Sequence, residues 1–202
     1  MAPQLVLASA STARRRVLRA AGFDPQVAVS GVREDVGTMT TARAVVVLAE
    51  RKASAVAPGF PESLVLGCDS MLDLDGVALG KPASAEEAVD MWRRLSGSHA
   101  RLHTGHCLID TRSGVRLSRL ATTLVRFGEP SRAEVDAYVA SGEPLALAGA
   151  FSIDGLAAPF VEGIEGDPTN VLGLSLPLFR RMLNELGLSI TELWRHTDAA
   201  GA

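Results

Sequence analysis

A chain of 202 residues with 47% apolar and 21% charged residues can bury a core of ordinary domain size, which excludes extended disorder. A formal net charge of −3 excludes a general nucleic-acid coat, and no stretch nears the ~20 apolar residues of a membrane span. Cys68 and Cys107 make no disulfide framework, and the amino terminus has no charged segment leading into a long apolar run, so a cytoplasmic setting is expected.

Leu5-Val6-Leu7-Ala8 reads as a buried strand running into the hydroxyl-rich turn Ser9-Ala10-Ser11-Thr12. A helix follows from about Ala13 to Ala21, ended by Gly22, and Val27 to Val29 is a second short strand. Ala42 to Ala57 is a helix stopped by Pro58-Gly59, with Glu50 and Lys52 on its latter half. Leu64-Val65-Leu66 reads as a buried strand with Asp69 emerging at its carboxyl end, where open α/β sheets place ligands. Met71 to Leu74, the Asp75-Gly76 turn and Val77 to Leu79 make a hairpin that brings Lys81 back toward Asp69. Pro82 stops the strand, and Ser84 with Glu87 opens a helix over Ala85 to Leu95.

Two long β segments come next, Ala100 to Asp110 and Val115 to Phe127, joined through Ser113-Gly114. Ser131 caps a helix reaching Ala140, with Glu134 in the box position, and Pro177 to Leu186 is the last helix. Residues 142–170 are rich in Gly and Pro and read as a loop-laden, functional region; the chain after Arg195 is expected to fray. Helices and strands alternate around a hairpin-like central pair, which predicts an α/β fold with a mixed sheet and one domain over residues 1–202.

Three groups of residues suggest chemistry. The turn Ser9 to Thr12 with Arg14 presents hydroxyls, backbone N–H groups and a guanidinium at a helix start, an arrangement that favours phosphate. Consecutive helical residues are ~100° apart, so Arg14, Arg15 and Arg16 cannot all face one site, and Arg14 is nearest the helix start. The same residues also suit a plain Ser/Thr cap with solvated arginines. Glu34, in the loop after the second strand, can join Asp69 in an oxygen-ligand set for magnesium, which takes one or two carboxylates plus water and substrate oxygens. His99 and His103 share a strand face and His106 takes the other, which argues against a three-histidine zinc site.

Together these stretches resemble the Maf family of nucleoside triphosphate pyrophosphatases, in a pattern similar to its actinobacterial branch. The resemblance rests on Leu7-Ala8-Ser9-Ala10-Ser11-Thr12-Ala13-Arg14, Glu34, Lys52-Ala53, Cys68-Asp69-Ser70, Gly80-Lys81-Pro82, Leu95-Ser96-Gly97, Thr104-Gly105, Ala148 to Phe151 and Gly166 to Leu174. It runs in order from residue 5 to about residue 188. It implies an elongated mixed sheet flanked by helices in two lobes, shared with inosine triphosphate pyrophosphatases, with the ligand between the lobes. It also implies hydrolysis between the α- and β-phosphates to a nucleoside monophosphate and pyrophosphate, including clearance of non-canonical or modified nucleotides. Glu34 and Asp69 would hold Mg2+ or Mn2+ and the water, with Asp69 the proton acceptor. Lys81, Lys52 and Arg14 would neutralise the phosphates, and Ser9 would orient them. A homodimer without nucleic-acid or membrane partners is implied.

Several positions depart from the family pattern. Thr12, Ala13, Leu147 and Ser175 stand where the family carries proline, arginine, lysine and proline, and Asp154 stands at a glutamine. Asp154 is therefore the substrate-binding position at which base preference is expected to differ. The alternative reading is a nucleotide-binding regulator of septum formation; intact Glu34, Lys52, Asp69 and Lys81 favour the enzyme.

Overall fold

The computed structural model describes residues 3–194, and the expected fraying after Arg195 lies outside them. The chain runs β1 (Gln4–Leu7), α1 (Thr12–Ala20), β2 (Gln26–Val27), α2 (Thr41–Val56), β3 (Ser63–Leu74), β4 (Val77–Leu79) and α3 (Ala85–Leu95). It continues with β5 (His99–Asp110), β6 (Arg116–Phe127), α4 (Arg132–Ala140), β7 (Val161–Glu165), α5 (Pro168–Val171) and α6 (Leu176–Glu185). Helix starts follow local chemistry: Ser11, Ser84 and Ser131 each accept from the N–H three residues on, and Ser131 with Glu134 completes a capping box.

The strands form a mixed sheet in the order β2-β1-β3-β5-β6-β7, with β4 paired to β3. The β1 pairings with β2 and β3 are parallel, and the other pairings are antiparallel. The strands β3, β5 and β6 have 12 residues each, roughly 40 Å at the usual rise, so the sheet is too long for one core to cover.

Its two faces are filled differently. Val65, Cys107 and Ile109 point to α2, which packs there through Ala49, Ala53 and Val56. On the opposite face α1 and α6 cover Leu64, Leu66 and Leu108, whereas α3 and α4 cover Leu72, Leu74 and Leu102. These two groups are the two lobes. The few aromatic residues concentrate in the second, where Trp92 meets Phe127, Tyr138 and Phe160 edge-on and donates from Nε1 to Ala150 O at 3.0 Å. Among the described residues no helix is long and apolar enough to cross a membrane.

Two expectations change. Asp69 does not emerge at a strand end: it lies inside the 12-residue β3, directly opposite Gly105 of β5. Strand β5 pairs with β3 from Leu64 to Asp73 without interruption and keeps the backbone extended through Gly67 and past Asp69. Second, the region 142–170 is not all loop, since Val161–Glu165 pairs with β6 as an edge strand. A register shift at Arg126/Phe127 puts its packed residues, Val161 and Ile164, three apart, so the two-residue alternation that announces a strand is lost.

Candidate active site

The site lies where the edge of β3 is left open. Strand β1 pairs with Ser63 to Leu66, and β4 pairs with Leu72 to Leu74. Among the described residues no strand pairs with that edge at residues 67–71, and both neighbours send their chain ends toward the gap. Ser9 comes from the end of β1. Lys81 follows two residues after Leu79, the end of β4, and its charge reaches Glu34.

Asp69 faces α2. Two glycines allow that helix to lie directly on the sheet: a Cβ on Gly67 would stand 2.8 Å from Ala53 N, and one on Gly105 would collide with the Val45 carbonyl. Helical side chains lean toward the helix amino terminus, so Lys52 reaches back to the level of Asp69. Lys52 Nζ donates to Asp69 Oδ1 and also lies 2.7 Å from Glu34 Oε1. The loop bearing Glu34 is tied to the same helix, because Arg51 Nη1 donates to the Asp35 carbonyl at 2.6 Å.

The two carboxylates on this one ammonium are pushed in opposite directions. Burial raises the Asp69 pKa despite the Lys52 charge beside it. The more exposed Glu34 is held below the usual carboxylate range, first by its hydrogen bond to Lys52 and further by the charges of Lys52, Lys81 and Arg14, against the cost of its partial burial. The charges of Lys81 and Arg14 both reach Glu34, and that of Arg14 also reaches Asp69.

Ser70, next in sequence, points to the opposite face and into a polar layer between the two lobes. Its Oγ accepts from Arg14 Nη2 at 3.0 Å and lies 2.9 Å from Thr104 Oγ1. Arg14 also donates from Nη1 to Ser9 Oγ at 3.1 Å and from Nε to the Gly173 carbonyl at 2.8 Å. Gly173 has φ +96° and sits against the guanidinium, where a Cβ would be 3.2 Å from Nε. Arg14 is thus a buried cation whose hydrogen-bond partners are neutral oxygens, and among the described residues no carboxylate is within ion-pair distance of it.

The layer continues through His106, whose Nδ1 donates to the Thr104 carbonyl at 3.1 Å while Nε2 accepts from Ser175 N–H at 2.9 Å. Burial drives this imidazole down to about 4. Asn170 donates from Nδ2 to the Leu102 carbonyl and to Thr123 Oγ1, and its buried Oδ1 has no partner.

Ser9, Arg14, Glu34, Lys52, Asp69 and Lys81 therefore gather around one gap. Asp154 is held elsewhere on the rim, paired with Arg16 of α1 and with Ser152 Oγ. Its turn is fastened from behind by Glu143, which accepts from Leu156 N–H at 3.0 Å and from Tyr138 OH at 3.2 Å. His103 bonds Thr122, His106 serves the polar layer, and among the described residues no cluster of three or more His, Cys, Asp or Glu could hold a metal. The motifs that carry the resemblance include Ser70, Thr104, Gly105 and Asn170, but sequence reading assigned neither them nor Gly67 a role at the site. For the two glycines the signal was their place inside strand patterns, since such glycines mark a close backbone approach.

The family model described as Maf-like protein matches residues 4–186. A Streptomyces coelicolor protein named nucleoside triphosphate pyrophosphatase is 58% identical over 201 residues, covering 96% of this chain and 98% of that one. One of the same name from Streptomyces avermitilis is 57% identical over 194 residues, covering 95% and 94%. Among solved structures, the Staphylococcus aureus Ham1 protein is similar with a TM-score of 0.41 and 14% identity over 62% of this chain and 72% of that one. With nearly its whole length matched by the family model, this chain belongs to the Maf family.

Proposed function

We propose that this protein hydrolyses nucleoside triphosphates to nucleoside monophosphate and pyrophosphate at the gap beside β3, as a single pyrophosphatase domain. The full-length likeness to relatives named for that activity supports the reading. The observation that carries it is Arg14. A buried guanidinium without a carboxylate is costly unless an anion completes it, and this one lies at the start of α1, where free backbone N–H groups add to the demand for negative charge.

In this reading Arg14, Lys81 and Lys52 hold the phosphates, and Ser9 with the first-turn N–H groups orients them. Water attacks the α-phosphorus; the bond from that phosphorus to the bridging oxygen breaks, and its electron pair leaves on pyrophosphate. The proton of the water passes to the carboxylate of Asp69, which Lys52 neutralises in the free protein. Burial makes Asp69 a stronger base than a solvated carboxylate and so suits it to that task. The cations stabilise the charge that grows on the leaving group.

Glu34 and Asp69 also fit a divalent cation. They converge on one point with two carboxylates, the number magnesium commonly takes beside water and phosphate oxygens. Bound there, Mg2+ or Mn2+ would polarise phosphoryl oxygens and acidify water. The cytoplasmic, homodimeric form and the clearing of modified nucleotides belong to the same proposal, on the family likeness.

The test is a panel of canonical and modified triphosphates with product chromatography. Monophosphate and pyrophosphate are expected, with release dependent on added Mg2+ or Mn2+. Diphosphate with orthophosphate would overturn the reaction, and full activity in excess chelator would overturn the metal.

A further inference from the structure

Lys52 stands where a cation belongs. Its ammonium bridges Glu34 and Asp69, with side-chain exposure of 12% for Lys52 and 9% for Asp69, so this half of the bridge is largely out of water. The position is built into the fold, because α2 is seated on Gly67 and Gly105 and delivers the side chain to this level. The residue type is also informative. The chain has eighteen arginines and two lysines, and both lysines, Lys52 and Lys81, lie at the gap. An arginine clamps a carboxylate with a rigid two-pronged fork, whereas an ammonium is a compact charge on a flexible stem that can let go.

We propose that Lys52 is a resident counter-ion that fills the cation position between Glu34 and Asp69 in the free protein, and that a divalent metal takes this position only by displacing it. This rests on the reading of Glu34 and Asp69 as metal-holding residues. An ammonium and a divalent ion between the same two carboxylates repel each other, so one must leave. The displaced ammonium is then a cation in search of an anion, and a triphosphate supplies one. Metal and triphosphate each favour the state in which Lys52 has moved, so each strengthens binding of the other. Lys52 would thereby keep the carboxylates neutralised and the metal weakly held until substrate arrives.

The experiment measures Mn2+ binding to the free, full-length protein by the electron paramagnetic resonance signal of unbound Mn2+, without turnover. Lys52→Met, which removes the charge and keeps the stem, is expected to bind Mn2+ at least ~10-fold more tightly than the wild type. Lys52→Arg is expected to bind it more weakly than the wild type. Adding an α,β-methylene triphosphate should tighten Mn2+ binding more in the wild type than in Lys52→Met. Equal or weaker Mn2+ binding by a folded Lys52→Met, when the wild type with analogue does bind, overturns the counter-ion role and leaves the metal reading standing. Absence of Mn2+ binding in every protein with and without analogue overturns both.

A second measurement follows the ammonium itself. The chain has two lysines, so the side-chain ammonium signal of 15N-lysine-labelled wild-type protein that is missing from Lys52→Met is that of Lys52. The Lys52 signal should shift or broaden on Mg2+ titration with analogue present, and an unmoved Lys52 signal at saturating Mg2+ overturns the displacement.

Discussion

Gly105 stands directly across the β3–β5 ladder from Asp69, and its missing side chain lets α2 rest on the sheet at the level of that carboxylate. A Cβ there would run into the Val45 carbonyl, which is backbone and cannot rotate away. Gly105→Ala is therefore expected to lift α2 and destabilise the protein by about 3 kcal/mol, the upper range for overpacking. Urea unfolding checks this, with Gly59→Ala as control, because Gly59 has open space around it and should change little.

Asp69→Asn is expected to lower kcat by ~100-fold or more, the usual scale for losing a general base. Stability should move by only about 1 kcal/mol, or ~2–4 °C in Tm for a chain of this size. The substitution relieves the burial of a charge, and Lys52 keeps Glu34 as its partner. A variant with half its activity left would move the base elsewhere. A Tm loss above ~10 °C would show that the Lys52–Asp69 pair holds the fold rather than the chemistry.

His106 predicts how stability varies with pH. Folded, its pKa is about 4; an unfolded imidazole titrates near ~6.5. Between these values the unfolded chain binds the extra proton, so stability is fully present above pH ~6.5 and falls as the pH drops toward about 4. The whole contribution is on the order of 3 kcal/mol. Imidazole NMR should show His106 still neutral at pH ~5, with Nδ1 protonated, and His106→Gln should flatten the pH dependence of urea unfolding across this window. An imidazole that titrates near ~6.5 would contradict the buried, fully bonded ring.

Asp154 offers a test of base preference. Its carboxylate accepts from Arg16 and Ser152, and as an ionised group it has no donor to offer a base edge. Asp154→Gln is expected to change the ratio of kcat/KM between bases more than it changes the rate on the best substrate. A base profile altered by less than about twofold, well under 1 kcal/mol, would confine Asp154 to its partnership with Arg16.

The sequence by itself determined the pieces whose causes are local. Ser11, Ser84 and Ser131 set helix starts through hydrogen bonds within one turn, and Asp75-Gly76 sets the hairpin through the left-handed backbone both residues adopt. The ordered motifs carried the family and six of the residues around the gap. Tertiary structure decided what depends on distant neighbours. Asp69 sits mid-strand because β5 pairs through it, and it is reachable because β1 ends before it and β4 begins after it. Val161–Glu165 becomes a strand because the edge of β6 is there to receive it. Lys52 meets two carboxylates because α2 settles onto two glycines 38 positions apart in the chain, Gly67 and Gly105. Which backbone edge stays open, and which charge is buried, are properties of the packed neighbours and cannot be read from a residue's own stretch of chain.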